Sequence, residues 1–427
     1  MKESLTLFWT KFKSGIFQLL SANTLNKIIT MLSTMVITRI LTKYDYGIWS
    51  YVLNIYSYLI MIAGLGLSAG AFQYGAENVG NSEEFSFYKY CLKRGTQINI
   101  AIVIISSAVF MTIALSLPDA KVYLIAYMPF LLLQYCLDVL FTILRCQNRI
   151  KEYAKLLNIN TILTALGICL GAFAGVYGII IGKYIAIFIS LLSVSRRLTN
   201  EINLTKKANQ LSPISIKRLW KYSLFTGASS AMNTMVYLLD VTMVANLLKD
   251  AILVGNYKVG SLIPNALQFI PSSIIIAILP NIIYHKNDYK WIKSTIIKTY
   301  GAIIAVNLVL TVLVVIFAKH IILVVSGEQY MDAVPVLKVL MIGYFFSGSF
   351  RSLSTNVLAV FHRVKYGLFI SVSSCVCDIL FNMLLIQKYG MMGAAYATLG
   401  VDIVTAVLSC SYLVYLLLSR KIQNTVE

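Results

Sequence analysis

The stretch Asn23-Thr-Leu-Asn-Lys27-Ile-Ile-Thr30-Met-Leu-Ser-Thr34-Met-Val-Ile-Thr38 carries Asn23, Lys27, Thr30, Thr34 and Thr38 at spacings of four, three, four and four. A helix turns once in about 3.6 residues, so this spacing predicts one polar face on an otherwise apolar helix. The hydrophobic stretch around it, 16–41, is long enough to cross a bilayer, which takes about 20 apolar residues. A lysine at mid-membrane costs about 2.5–3.5 kcal/mol on insertion scales, so Lys27 requires water, a counter-charge or a ligand. The same design recurs at Thr226, Ser230, Asn233, Tyr237 and Asp240 in the seventh apolar stretch. Two such faces, one in each half of the chain, predict a wet cavity between two bundles. That is the outline of a transporter.

Composition supports this outline. Of the 427 residues 58% are hydrophobic and only 12% charged, whereas a soluble domain has about 25% charged residues. Most of the chain therefore belongs in lipid. The formal charge of +19 could point to nucleic acid, but the distribution of the charges explains it otherwise. Spans are expected near 16–41, 47–72, 96–117, 121–144, 154–174 and 176–195, then near 220–247, 255–284, 295–318, 333–359, 365–388 and 391–418. Most of the 36 basic residues fall at the N-terminus, in alternate loops and at the C-terminus, for example Lys89, Lys93, Arg94, Arg145, Arg149 and the run from Arg196 to Lys221. Cytoplasmic loops carry the excess of Lys and Arg, so both termini are expected in the cytoplasm and no nucleic acid partner is needed. No His/Cys/Asp/Glu grouping has metal-ligand spacing, and the seven cysteines read as small core residues without disulfides. The first apolar stretch is too long and too polar on one face for a signal peptide.

The fold predicted is an all-α polytopic membrane protein of about 12 transmembrane helices. Residues 1–195 form an N-terminal six-helix bundle, 196–219 a basic cytoplasmic linker and 220–427 a C-terminal six-helix bundle. Three echoes suggest duplication: Arg39 to Tyr51 against Asn246 to Tyr257, Asn148-Arg149-Ile-Lys151 against His362-Arg363-Val-Lys365, and Tyr177-Gly178 with Gly182 against Tyr389-Gly390 with Gly393. Pro264, Pro271 and Pro280 predict kinks in the eighth span, next to a polar face that includes Tyr257, Ser261, Asn265, Gln268 and Ser272.

These features resemble the multidrug/oligosaccharidyl-lipid/polysaccharide exporter superfamily, in particular its polysaccharide and O-antigen flippase branch. The resemblance rests on the two six-helix halves, the Arg39-Ile-Leu-Thr-x-x-x-Tyr46-Gly47 turn, Asp240 before Gly255-Asn-Tyr257, and the ending Asn382 to Tyr389-Gly390-Met-Met-Gly393-Ala-Ala-Tyr-Ala397. It implies a V-shaped transporter of the bacterial cytoplasmic membrane that works as a monomer. It further implies transfer of an undecaprenyl-pyrophosphate-linked oligosaccharide to the outer leaflet by ion-coupled alternating access, alongside a polysaccharide polymerase and glycosyltransferases. No cofactor is expected apart from a coupling proton or sodium ion.

Such a substrate needs a cationic route for its pyrophosphate, for which Lys27, Arg351, Lys183, Arg39 and Lys258 are the candidates. Arginine grips phosphate with a two-pronged fork, lysine as a point charge. Snorkelling to the interface accounts equally well for Arg39 and Lys258. Asp240, Asp378 and Asp402 are the ion-coupling candidates, because a low-dielectric bundle disfavours a carboxylate's charged form and invites a proton or cation. Asp138, beside Gln134 and Thr142, is a weaker one, and Asp240 paired with Lys258 is the structural alternative. Asn23, Thr30, Thr34, Ser230, Asn233, Tyr237 and Gln268 are expected to line the cavity. Two other functions compete: a cation-coupled drug or metabolite antiporter, and a membrane glycan polymerase. The polymerase reading lacks the large outer loop with Arg or His that such chemistry uses, so no catalytic residue is assigned.

Overall fold

The structure, a computed structural model, describes residues 23–81, 83–284, 288–361 and 364–419, and each expected span falls on helix there. No strand occurs among the described residues. In chain order, α1 covers 23–40, α2 Lys43–Met61, α3 Leu67–Glu77, α4 Glu84–Thr112, α5 Ala120–Tyr127, α6 Phe130–Cys146, α7 Ile150–Gly171, α8 Gly175–Arg197 and α9 Thr199–Lys207. Then come α10 Pro213–Leu248, α11 Ala251–Leu267, α12 Phe269–Tyr284, α13 Tyr289–Ile316, α14 Ala318–Val325, α15 Val334–Phe346, α16 Ser352–Val360, α17 Val364–Tyr389 and α18 Met391–Leu418. Among the described residues, eight stretches are long and apolar enough to cross a membrane by length and composition alone, and one of them, Ile150–Arg197, is the hairpin of α7 and α8. Large side chains such as Phe173 (77% exposed) and Leu384 (69%) point outward. A surface that apolar is tolerable only with lipid around it, so this is a multi-pass membrane protein.

Two compact units make up the chain, Met1–Thr234 and Met235–Glu427, and the division falls inside α10. In the first, Tyr88, Tyr127, Leu131, Leu137 and Ile143 are fully buried. The start of α10 belongs to this unit: a Cβ on Gly66 would meet Ser223 O at 2.2 Å, so only glycine permits that approach. In the second, Ile275, Ile292, Ile296, Leu353, Val357 and Leu413 form one apolar cluster from α12, α13, α16 and α18.

The echoes in the sequence have local physical causes. Each outer turn ends in a side-chain cap that satisfies orphan amides. Thr42 Oγ1 accepts from Asp45 N at the start of α2, and Asp250 Oδ1 accepts from Ile252 N and Leu253 N at the start of α11. The next helix of each half is then broken, by different means. Gly64, Leu65 and Gly66 all have left-handed φ between α2 and α3, and Asn99 Oδ1 accepts the freed Gly64 N–H at 2.8 Å. Between α11 and α12 the break lies at Gln268, flanked by Pro264 and Pro271, and the backbone runs on as helix through Pro280. The third echo needs a corrected register. Gly175 (φ +72°) and Gly390 (φ +57°) make the two hairpin turns, and Gly178 and Gly393 each press on the backbone of the preceding helix. Gly175-Val-Tyr-Gly178-Ile-Ile-Ile-Gly182 therefore matches Gly390-Met-Met-Gly393-Ala-Ala-Tyr-Ala397. His362 and Arg363, from the second echo, lie outside the described residues.

Candidate functional site

Six helical segments of the C-terminal unit, among them α15 with Leu340 and Tyr344, converge on a polar pocket of about 90 Å³. From α10 comes Asp240, and from α17 comes Asp378, with Asn382 one turn further along hydrogen-bonded to both carboxylates. Helix α18 gives Thr398 and Asp402 at the same spacing, and α11 gives Tyr257, Lys258 and Ser261. Spacing of four residues stacks side chains on one helical face, which brings Thr398 and Asp402 to the pocket together and sets Asn382 beside Asp378. The sixth segment, Ser347–Arg351, is a π-helical turn between α15 and α16. One residue more per turn re-aims the side chains that follow, and such turns cluster at functional sites. Here Ser347 and Arg351 both reach the pocket.

Asn382 Nδ2 donates to Asp240 Oδ1 (3.2 Å) and Asp378 Oδ1 (3.0 Å), and so bridges the two carboxylates. Thr398 Oγ1 donates to Asp240 Oδ2 at 2.9 Å and lies 3.1 Å from Tyr257 Oη. Across the pocket, Arg351 Nη1 stands 3.6 Å from Asp402 Oδ1. Gln268 Nε2 donates to Ser347 Oγ at 3.1 Å. Lys258 lines the same pocket as Asp240 and interacts with it electrostatically, without a direct salt bridge between the two among the described residues. Asp378 Oδ2 and Asn382 Oδ1 are buried acceptors without a hydrogen-bond partner. Buried polar atoms are nearly always paired, so two orphaned acceptors in one cluster mark a place for a proton or a cation. The oxygen-rich donor set suits a hard cation, and the volume admits an ion with a few waters but no sugar.

The structure thus gathers Asp240, Asp378, Asp402, Lys258, Arg351 and Gln268 in one place. Lys27, Arg39 and Lys183 stand apart from these, in the N-terminal unit. Asn23, Lys27 and Arg39 are exposed on α1. The hydroxyls of Thr30 and Thr34 donate to Asn26 O and Thr30 O of their own helix. Ser230 is exposed on α10, and the side chains of Asn233 and Tyr237 lie outside the described residues. Lys183 has its ammonium over three rings, 4.8 Å from Tyr127, 5.2 Å from Phe130 and 5.6 Å from Trp49. Such a cage holds a cation through the ring quadrupoles without neutralising it. Asp138 accepts from Gln134 Nε2 at 3.1 Å and sits on the exposed side of α6. The expected site residues omit Asn382 and Thr398; their i, i+4 spacing to Asp378 and Asp402 is the signal that finds them.

This fold recurs among known transporters. A multidrug resistance MATE family transporter of the MOP superfamily, in an inward-facing conformation, superposes with a TM-score of 0.76 at 12% identity, over 94% of this chain and 96% of that one. Lipid II flippase MurJ, in an inward closed conformation, superposes at 0.74 with 15% identity, over 96% and 90%. A MOP superfamily transporter from Pyrococcus furiosus gives 0.64 at 13% identity, over 96% of both chains. No curated protein matches the sequence. The fold is that of the exporter superfamily's transporters. Within that class, residues 12–284 match the profile described as "Polysaccharide biosynthesis protein", so the chain belongs to the polysaccharide biosynthesis protein family.

Proposed function

We propose that the protein is a flippase that carries an undecaprenyl-pyrophosphate-linked oligosaccharide from the inner to the outer leaflet of a bacterial cytoplasmic membrane, coupled to one monovalent cation, proton or sodium. Family membership supports the glycan-linked substrate. The observation that carries the coupling is the charge of the C-terminal pocket. Its lining includes three carboxylates, Asp240, Asp378 and Asp402, against two cations, Lys258 and Arg351. With all five ionised the formal sum is −1, and a net charge held in low dielectric costs several kcal/mol. One bound monovalent cation cancels it. Loading and emptying the pocket therefore change the electrostatic cost of enclosing it in the membrane, which is the condition for coupling a conformational cycle to an ion gradient.

Lys27, Arg39 and the caged Lys183 are the pyrophosphate contacts on this reading, with the isoprenoid tail left in lipid. Both termini face the cytoplasm, and a polymerase and glycosyltransferases act before and after the transfer. The likeness to MATE transporters favours one rival, cation-coupled drug antiport. Proteoliposomes loaded with a fluorescent lipid-linked oligosaccharide separate the two. A sodium or proton gradient should accelerate flipping by the native chain, and Asp240→Asn should abolish that acceleration. Gradient-driven uptake of a cationic dye with no glycan transfer would replace the flippase with the antiporter.

A further inference from the structure

The N-terminal unit contains a second hollow, lined by none of the residues assigned above. It is an open groove of about 440 Å³ with walls from the break after α2, from α4 and from the start of α10. Leu65 and Ile98 make it apolar on one side, and Tyr90, Arg94, Gln97 and Trp220 make it polar on the other. None of its lining residues is acidic.

The hydrogen-bond accounting at the polar side is one-sided. Gln97 Oε1 accepts from Arg94 Nη1 at 3.1 Å, and Tyr90 Oη accepts from Trp220 Nε1 at 3.0 Å. The side-chain acceptors are thereby engaged. What remains is the rest of the Arg94 fork, the Gln97 amide hydrogens and the Tyr90 hydroxyl hydrogen, all donors. A cleft that offers donors and one full positive charge selects an anion rich in acceptor oxygens. An arginine fork with neighbouring amide and phenol donors fits phosphate. The apolar wall beside it fits a hydrocarbon chain, and the volume lies within the range of small-molecule sites, about 300–1,000 Å³. Lys89 and Lys93 flank Arg94 on α4, in one of the basic stretches that the charge bias assigns to the cytoplasm.

We propose that this groove receives the pyrophosphate of an isoprenoid lipid at the cytoplasmic leaflet, upstream of the carrier cavity. The proposal rests on the flippase reading for its substrate class, but its test reads binding, not transport. Purified full-length protein in detergent is titrated with undecaprenyl pyrophosphate without glycan, and bound lipid is counted by native mass spectrometry. Undecaprenol and phosphatidylglycerol serve as comparison lipids. Arg94→Gln should weaken binding of the pyrophosphate lipid about tenfold or more, the worth of one charge-assisted contact. Arg94→Lys should fall between, because it keeps the charge and loses the fork. Undecaprenol should bind weakly and equally to all. Unchanged affinity in Arg94→Gln, or displacement by an equal concentration of phosphatidylglycerol, would overturn the proposal, the second outcome giving the groove to bulk phospholipid. Pyrophosphate-lipid binding lost in Arg94→Gln, in a protein that moves no glycan, would sink the flippase reading and leave the groove standing.

Discussion

Removing the two halves of the Arg351–Asp402 pair separately and together tests the charge account of the C-terminal pocket. The contact is single and 3.6 Å long, and the side chains are 16% and 13% exposed. At an effective dielectric of 20 the gross attraction is about 5 kcal/mol, most of it cancelled by desolvation of both ions. Breaking a fully buried pair from one side costs about 3–5 kcal/mol. Here the pair faces a pocket with room for water, so Arg351→Met or Asp402→Leu alone should cost about 2 kcal/mol. For a unit of this size that is a fall in Tm of about 4–8 °C. The double variant removes both members of this pair and should return to within about 1 kcal/mol of the native chain. Transport should follow the charge sum. Arg351→Met takes the pocket to −2 and Asp402→Leu to 0, whereas the double variant restores −1 and with it the response to a cation gradient. Scanning fluorimetry in detergent and gradient-driven flipping in proteoliposomes read the two effects. Single costs that simply add in the double variant would show that the charges do not interact, and a double variant blind to the gradient would refute the charge account.

Two further outcomes are expected. Asn382→Leu removes the one amide that bridges Asp240 and Asp378, so it should lose gradient-driven transport while keeping its expression level; unchanged transport at normal yield would dismiss the bridge. At the α7–α8 hairpin, Gly171→Val places a Cβ 2.2 Å from Gly178 O and should cost about 3 kcal/mol or more, whereas Gly175→Ala meets nothing within 4 Å and pays only for its φ of +72°, about 1–3 kcal/mol. Equal melting temperatures for these two would contradict the backbone contact.

The spans were legible because bilayer thickness fixes their length and because a polar face inside an apolar helix keeps its period. The aspartates were legible for the same reason: Asp240, Asp378 and Asp402 each continue a polar spacing on their helix. Long-range pairing was not. Nothing in the local pattern says that Arg351 meets Asp402 fifty-one residues on, because the π turn that aims it leaves no mark in composition. Nor does the pattern distinguish a threonine that lines a cavity from Thr30 or Thr34, whose hydroxyls close on their own helix. Lys183 reads as an intramembrane charge from sequence, but its aromatic neighbours come from α2, α5 and the start of α6 and meet only in the fold.

The glycines of the α7–α8 hairpin carry a mechanical consequence. Gly167 with Gly182, and Gly171 with Gly178, seat carbonyl against Cα with no side chain between them. Like teeth of a closed zipper, the two rods cannot slip lengthwise past each other without forcing backbone into backbone. Lys183 is the next residue after Gly182, so its position along the hairpin is clamped to α7. Whatever rocking the N-terminal unit undergoes, that ammonium keeps its place along a two-rod strut, and a change of rotamer lifts it off the rings.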